Sequence, residues 1–119
     1  MTRKRFPHSL YGSGSEPDPR FSLANERTFL AWIRTALALA AAGIALEALR
    51  LPIREELRFA CAVLFLVLAI LAGVRAWLGW FATEKALRAN RALPGLTLGA
   101  VIAGGVVVAV ALIGLGLFL

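Results

Sequence analysis

The hydrophobic residues of this chain fall into three long blocks that are separated by short polar segments. The blocks cover about residues 29–49, 59–81 and 96–119, and the third holds no charged side chain. Each block is about 20 residues long or slightly more, which is enough for a helix to cross the hydrocarbon of a bilayer. A helix is required because backbone amides in lipid must be satisfied without water. The pattern therefore predicts an all-α integral membrane protein with three transmembrane helices.

Turn-forming residues set the limits of these helices. Asp18 followed by Pro19 is a typical helix start, with an N-cap residue and then proline at the first helical position. Pro52 ends the first helix, and Pro94 lies between the second and the third. The predicted ranges are about 19–51 for helix one, 57–90 for helix two and 95–119 for helix three, within one membrane domain over 18–119. Residues 1–17 contain little that can pack, so they predict a flexible tail.

The distribution of positive charge predicts the orientation in the membrane. Arginine and lysine are concentrated before helix one and in the loop between helices two and three: Arg3, Lys4, Arg5, Arg20, Arg27, Lys85, Arg88 and Arg91. On the other side of the membrane the basic residues are fewer, and Glu55 and Glu56 dilute them. Because positive loops stay in the cytoplasm, we expect a cytoplasmic N-terminus and tail, and a C-terminus outside.

The composition excludes several other classes of protein. The chain has 119 residues, is 60% hydrophobic and carries a formal charge of +6. Its arginines flank or enter the apolar blocks, which favours membrane topology over nucleic-acid binding as the reason for that charge. One cysteine, Cys61, and one histidine, His8, provide no disulfide framework, metal cluster or catalytic set. We therefore expect no enzymatic activity, no cofactor, no metal and no nucleic-acid partner.

Helix one carries the most informative pattern. A single helical stripe holds three arginines one heptad apart, with alanines between and beyond them: Arg20, Ala24, Arg27, Ala31, Arg34, Ala38, Ala41, Ala45 and Ala48. Arginine facing lipid is unfavourable, so this stripe is expected to face protein or water. Arg75, inside helix two, lies at a similar depth to Arg34. Small residues suited to close helix packing, within one subunit or between subunits, are Ala38, Ala41, Ala45, Gly73, Gly99 and Gly104.

These features lead to a first functional hypothesis. One chain of three helices cannot enclose an aqueous path, whereas a ring of identical subunits can. Rings of arginine select anions and phosphates, because guanidinium groups bind phosphate in a bidentate way. The leading hypothesis is a homo-oligomeric channel or transport-type pore in which the anion-binding or pore-lining residues are Arg20, Arg27, Arg34 and Arg75.

Two other functions stay open on the sequence alone. A structural polar cluster of Asn25, Glu26 and Glu47 is expected, and Glu26 in particular is placed to bridge to Arg34 or Arg75. The arginines would then be neutralised within a non-conducting scaffold or an accessory subunit of a membrane complex. The third function is a small proton-coupled exporter, for which Glu47 would be the carboxylate.

The remaining charged residues are expected to form simple pairs. Glu47 is placed to pair with Arg50, one turn later in the sequence, or with Arg54. Glu84 and Arg88 are expected to form an exposed pair along helix two.

The segment from Asp18 to Thr35, with its core Ala-Asn-Glu-Arg-Thr-Phe-Leu-Ala-Trp at residues 24–32, resembles the signature of a known family. This is the "domain of unknown function 202" family of small bacterial inner-membrane proteins, and the resemblance implies a multi-pass protein of the bacterial inner membrane. The same segment is similar to the membrane part of the vacuolar transporter chaperone complex of fungi, through the motif at Asn25 to Leu30. That resemblance implies a homo-oligomer, a pentamer in the fungal complex, whose basic residues guide polyphosphate across a membrane.

Overall fold

The protein is a bundle of three long helices with a short helix at one end. The computed structural model describes residues 8–12, 14–90, 92 and 97–118. The helices are α1 (His8–Tyr11), α2 (Pro19–Leu49), α3 (Glu55–Arg88) and α4 (Thr97–Phe118), and the described residues form no strand. Three of the helices are long and apolar enough to cross a membrane. The prediction of an all-α membrane protein with three spanning helices is confirmed.

Local chemistry explains where α2 and α3 begin and end. The carboxylate of Asp18 accepts a hydrogen bond from the backbone N–H of Arg20 at 2.9 Å, which caps the first turn of α2. The side chain of Arg20 also donates to Asp18, and this hydrogen bond lowers the pKa of the Asp18 carboxyl. α2 ends at Leu49 because Arg50 adopts a left-handed conformation with φ of 49°. Two residues in the first turn of α3, Glu55 and Glu56, complement the positive end of its dipole.

α2 and α3 form an antiparallel hairpin with the most extensive contact in the molecule. The buried residues of α2 are Asn25, Leu39, Gly43 and Leu46, whose spacing places them on one face. Gly43 permits a close approach, since a Cβ there would lie 3.0 Å from the carbonyl oxygen of Ala62. This is the small-residue packing that helices in lipid require, because burial of apolar surface drives little association there.

α4 packs antiparallel against α3 rather than against α2. The side chain of Leu68 fills the space over Gly105, and that of Leu57 fills the space over Gly116. A groove of about 330 Å³ remains between α2 and α4. Its lining consists of Thr28, Ala31, Trp32, Thr35, Gly99, Ile102 and Ala103.

Most of the small residues predicted to pack between helices lie outside the α2–α3 and α3–α4 contacts. Ala38, Ala41 and Gly104 are exposed, Ala45 is partly buried, and a Cβ at Gly73 or Gly104 would meet no other atom within 4 Å. Of this set, Gly99 lines the groove between α2 and α4. Within the subunit, close packing instead uses Gly43, Gly105 and Gly116.

The N-terminal segment packs against the end of the bundle where α2 begins and α3 ends, which we call the basic end. Leu10 is fully buried, and the ring of Tyr11 meets Trp80 edge-on at 6.5 Å. The backbone N–H of Ser15 donates to the carbonyl of Arg88 at 3.1 Å. The predicted flexible tail over residues 1–17 therefore differs from the structure, which packs residues 10, 11 and 15 against α3; residues 1–7 and 13 lie outside the described part.

The bundle is longer than a bilayer core is thick. Its principal extents are 63 × 24 × 20 Å. With a rise of about 1.5 Å per residue, the 34 residues of α3 span about 51 Å, well beyond the roughly 30 Å of hydrocarbon. At least one end of the α2–α3 hairpin must therefore project into the headgroup region or beyond.

Candidate functional site

A buried polar cluster joins α2 to α3 at the basic end. The carboxylate of Glu84 on α3 accepts from the Ser22 hydroxyl at 2.6 Å and from the Asn25 side-chain amide at 3.2 Å. The same amide of Asn25 also donates to the backbone carbonyl of Trp80 at 3.0 Å. Glu84 and Asn25 are only 4% and 5% exposed, so both groups have exchanged water for protein partners. The cluster fixes the register of the two helices.

Sequence reasoning missed Glu84, and the expected exposed pair of Glu84 with Arg88 is wrong. Both side chains are buried, and they point to different partners. An available signal was the row of Ala62, Ala69 and Ala76, which repeats at heptad spacing and contacts α2 at Ala62. Glu84 follows eight residues after Ala76, near the extension of that face. A carboxylate on a packed face needs donors, and Ser22 and Asn25 supply them.

Arg88 ties the N-terminal segment to α3. Its guanidinium donates to the backbone carbonyl of Tyr11 at 2.9 Å and lies 5.4 Å from the centre of the Tyr11 ring. It also forms an ion pair with Glu16 at 3.3 Å. Because the side chain of Arg88 is only 4% exposed, these contacts take the place of water around its charge.

Glu26 does not form the predicted bridge. It is exposed and pairs neither with Arg34 nor with Arg75, and it has no ion-pair partner among the residues that the structure describes. It lines a cavity of about 150 Å³ beside Glu84. Of the expected polar cluster, Asn25 alone is placed in the buried cluster, because Glu26 lies on the next helical face.

Arg75 lies between α2 and α3 and faces a cleft. Its guanidinium carbon is 5.1 Å from the centre of the Trp32 ring, within the range of a cation–π contact. The guanidinium occupies the space over Gly79, where a Cβ would overlap it. The cleft has a volume of about 290 Å³ and is lined by Phe21, Ala24, Asn25, Thr28, Arg75, Thr83 and Leu87. The sequence analysis grouped Arg75 with the stripe arginines of α2, but none of those arginines lines this cleft; of the stripe, Ala24 borders it.

The stripe itself is exposed along the length of α2. Arg20, Arg27 and Arg34 are all exposed, as are Ala38 and Ala41 beyond them. Arg20 pairs with Asp18 at 2.9 Å, whereas Arg27 and Arg34 have no ion pair within the described ranges. The buried residues of α2 lie on another face, so the described chain leaves this one uncovered.

At the other end of the bundle, Glu47 pairs with Arg58 on α3. The distance between the Glu47 carboxylate and Nε of Arg58 is 3.7 Å. The predicted partners, Arg50 and Arg54, are both exposed, and Arg54 lies 3.9 Å from Glu56 instead. The sequence prediction was wrong because it counted neighbours along the chain, whereas the antiparallel hairpin brings Arg58 across from Glu47.

In the part of the chain that the structure describes, no group of three or more His, Cys, Asp or Glu residues lies close enough to hold a metal ion. Cys61 is buried, with its sulfur 4.0 Å from the carbonyl oxygen of Ala109. Its surroundings are those of a packing residue.

Comparison with known proteins places this geometry in a family. The family model "Domain of unknown function (DUF202)" matches residues 20–86, which cover most of the α2–α3 hairpin and include Ser22, Asn25, Arg75 and Glu84. The inner membrane protein YidH of Escherichia coli K12 is 48% identical over 88 residues, covering 68% of this chain and 71% of YidH. The uncharacterized protein Rv2272 of Mycobacterium tuberculosis H37Rv is 49% identical over 82 residues, covering 66% of each chain.

No solved structure matches the chain. The similarity to YidH, together with the three apolar helices of this chain, confirms the prediction of an inner-membrane protein. The chain belongs to the DUF202 family of membrane proteins.

Proposed function

We propose that this inner-membrane protein assembles into a homo-oligomeric ring around the α2 stripe and forms a pore for anions. The observation that carries the proposal is the uncovered stripe itself. Arg27 and Arg34 are exposed on a face of α2 that no described element covers, and Arg34 lies inside an apolar span. Exposure to lipid is unfavourable for a guanidinium, so this face needs headgroups, water or protein beside it in the membrane, and we propose that copies of the chain cover it.

A ring of copies would surround this face with protein and with the water of a central pore. Each subunit would present Arg20, Arg27 and Arg34 to a central axis, which makes a positive funnel at the basic end. The orientation predicted from loop charge places this funnel on the cytoplasmic side. The exposed Ala38 and Ala41 would line a narrow, apolar continuation that can gate by dewetting.

The substrate class follows from the arginines. Guanidinium rings attract anions, and they bind phosphate oxygens in a bidentate way. Inorganic anions and phosphate polymers both fit this chemistry. We propose no catalytic step for the protein, since passage through the ring requires none.

A scaffold without a pore is the second candidate, and the buried cluster favours it. Ser22, Asn25 and Glu84 satisfy one another inside the subunit, so this polar part of the α2 motif stabilises the contact between α2 and α3. An exporter built on Glu47 has less support, because that carboxylate faces Arg58 at 3.7 Å near the end of the bundle.

Anion flux in liposomes tests the pore. The double substitution Arg27→Gln and Arg34→Gln is expected to reduce chloride and phosphate flux at least tenfold, because it removes two charge rings. The matched control is Arg50→Gln with Arg54→Gln, which removes the same charge from exposed residues at the other end of the bundle. Equal flux in the two double variants, or absence of flux in the unsubstituted protein, would reject the pore.

Disulfide cross-linking tests the ring independently of conduction. In a Cys61→Ala background, Ala38→Cys is expected to cross-link between copies, whereas Ile70→Cys is expected to remain monomeric because residue 70 is exposed on α3, away from the stripe. Cross-linking at residue 38 without flux would support the scaffold. Absence of cross-linking at residue 38 would contradict assembly around the stripe.

A further inference from the structure

We infer that the cleft around Arg75 binds a phosphate group, from either a phospholipid headgroup or a soluble phosphate anion. The inference does not depend on the oligomeric pore proposed above. It concerns the cleft within one subunit between α2 and α3, which Arg20, Arg27 and Arg34 do not line.

The first argument is the charge of Arg75. Its guanidinium carbon lies 5.1 Å from the centre of the Trp32 ring, yet no carboxylate of the described residues pairs with it. A cation–π contact of this kind uses the charge of the guanidinium but none of the acceptors that its N–H groups can bind. A partly buried cation without a counter-ion is expected to bind an anion.

The second argument is the lining of the cleft. The hydroxyl of Thr83 makes no hydrogen bond to another described residue and is therefore a second available donor. The hydroxyl of Thr28 already donates to the carbonyl of Ala24 at 3.1 Å. Nearby, both donors of the Asn25 amide are directed to Trp80 and Glu84, so the carboxylate of Glu84 is held away from this cleft.

The third argument is the position of the cleft. From Arg75 it extends past Thr83 to Leu87 and Phe21, toward the basic end of the hairpin. The cleft thus connects the guanidinium of Arg75 with the interfacial end of the hairpin, where the phosphates of lipid headgroups and of soluble anions are both present. Basic pockets between spanning helices on the cytoplasmic side bind anionic lipid headgroups in this manner.

Gly79 makes the site testable without removal of the charge. The guanidinium of Arg75 occupies the space over Gly79, so Gly79→Ala should displace it from the cleft. Gly73→Ala is the matched control, because a Cβ at Gly73 on the same helix meets nothing within 4 Å. Both substitutions add one methyl group to α3 and leave its charge unchanged.

Native mass spectrometry of the full chain from nanodiscs, with titrated phosphatidylglycerol in phosphatidylcholine, measures lipid binding. A parallel titration with inorganic phosphate in pure phosphatidylcholine nanodiscs measures soluble anion binding. We expect the protein to retain phosphatidylglycerol, inorganic phosphate or both. The titration in which binding is seen identifies the source of the phosphate group. Arg75→Gln should weaken this binding about tenfold or more, and Gly79→Ala should weaken it too.

Two results would overturn the inference. The first is the absence of a retained phosphate group in both arms. The second is retained binding in Arg75→Gln that equals binding in the Gly73→Ala control. Should Arg75→Gln fail to fold, Arg75→Lys decides the question. It keeps the charge but removes the bidentate geometry, so weakening is expected, and unchanged affinity would reject the site.

Discussion

Replacement of Asn25 by alanine should destabilise the α2–α3 hairpin more than any comparable change on the surface of α2. Asn25→Ala removes the hydrogen bonds to Trp80 at 3.0 Å and to Glu84 at 3.2 Å. It also leaves a carboxylate that is 4% exposed with the Ser22 hydroxyl as its remaining donor across the helix pair.

The magnitude follows from these two bonds. A neutral hydrogen bond contributes about 0.5–1.5 kcal/mol, and one to a charged group about 1.5–3 kcal/mol, which together give about 2–4.5 kcal/mol. Hydrogen bonds between helices in lipid average only about 0.6 kcal/mol, which sets a lower limit near 1 kcal/mol. We expect a value in the upper part of this range, because the buried carboxylate of Glu84 loses a donor that water cannot easily replace.

Unfolding in mixed detergent micelles at increasing dodecyl sulfate measures this loss, and Trp80 within the cluster reports it by fluorescence. Thr35→Ala on the same helix is the control, because that exposed hydroxyl bonds only to Ala31 of its own helix. A double-mutant cycle with Glu84→Ala isolates the coupling between Asn25 and Glu84. A loss below about 0.5 kcal/mol, or zero coupling, would refute the role assigned to the cluster.

Three further predictions test other contacts. Gly43→Val should lower stability by about 1–3 kcal/mol by overpacking, while Gly114→Val, where a Cβ meets nothing within 4 Å, should not; thermal unfolding in micelles compares them. Hydrogen bonds from Arg20 lower the pKa of Asp18 in the folded state, so the stabilisation of the start of α2 by Asp18 is fully present above the unfolded-state pKa. It is lost as the pH falls through the lowered folded-state pKa, which should be measured as faster amide exchange in the first turn of α2. Arg88→Ala should release the segment around Tyr11, measured as faster chymotryptic cleavage there, and an unchanged rate would contradict the contact.

The sequence predicted the architecture well because the signals for spanning helices are local. Runs of apolar residues and the Asp18–Pro19 start depend on neighbours along the chain, so the three long helices were foreseen. The partner of each charged side chain depends instead on how α2 and α3 are aligned. Helical spacing therefore predicted partners for Glu47 and Glu84 that are near them in the chain. In the hairpin, Glu47 pairs with Arg58, and Glu84 accepts hydrogen bonds from Ser22 and Asn25.

The arginine stripe illustrates the same limit. Periodicity placed Arg20, Arg27 and Arg34 on one face, and the structure leaves all three exposed. Periodicity could not decide whether Arg75 faces the same space, since this depends on the rotation of α3. The packing of α3 on α2 turns Arg75 toward Trp32 instead.

Of the two arginines inside the apolar spans, Arg34 and Arg75, only Arg75 lies over a glycine, and the direction of the helices explains the difference. Side chains on a helix lean toward its N-terminus, so on α2 the lean carries Arg34 toward the basic end without assistance. On the antiparallel α3 the same lean would carry Arg75 deeper into the bilayer. Arg75 turns toward the C-terminus of α3 instead, and it does so across Gly79, where any Cβ would block it. The spacing of Arg75 and Gly79, on a helix that ends at the basic side, therefore allows this guanidinium to point toward that end of the bundle.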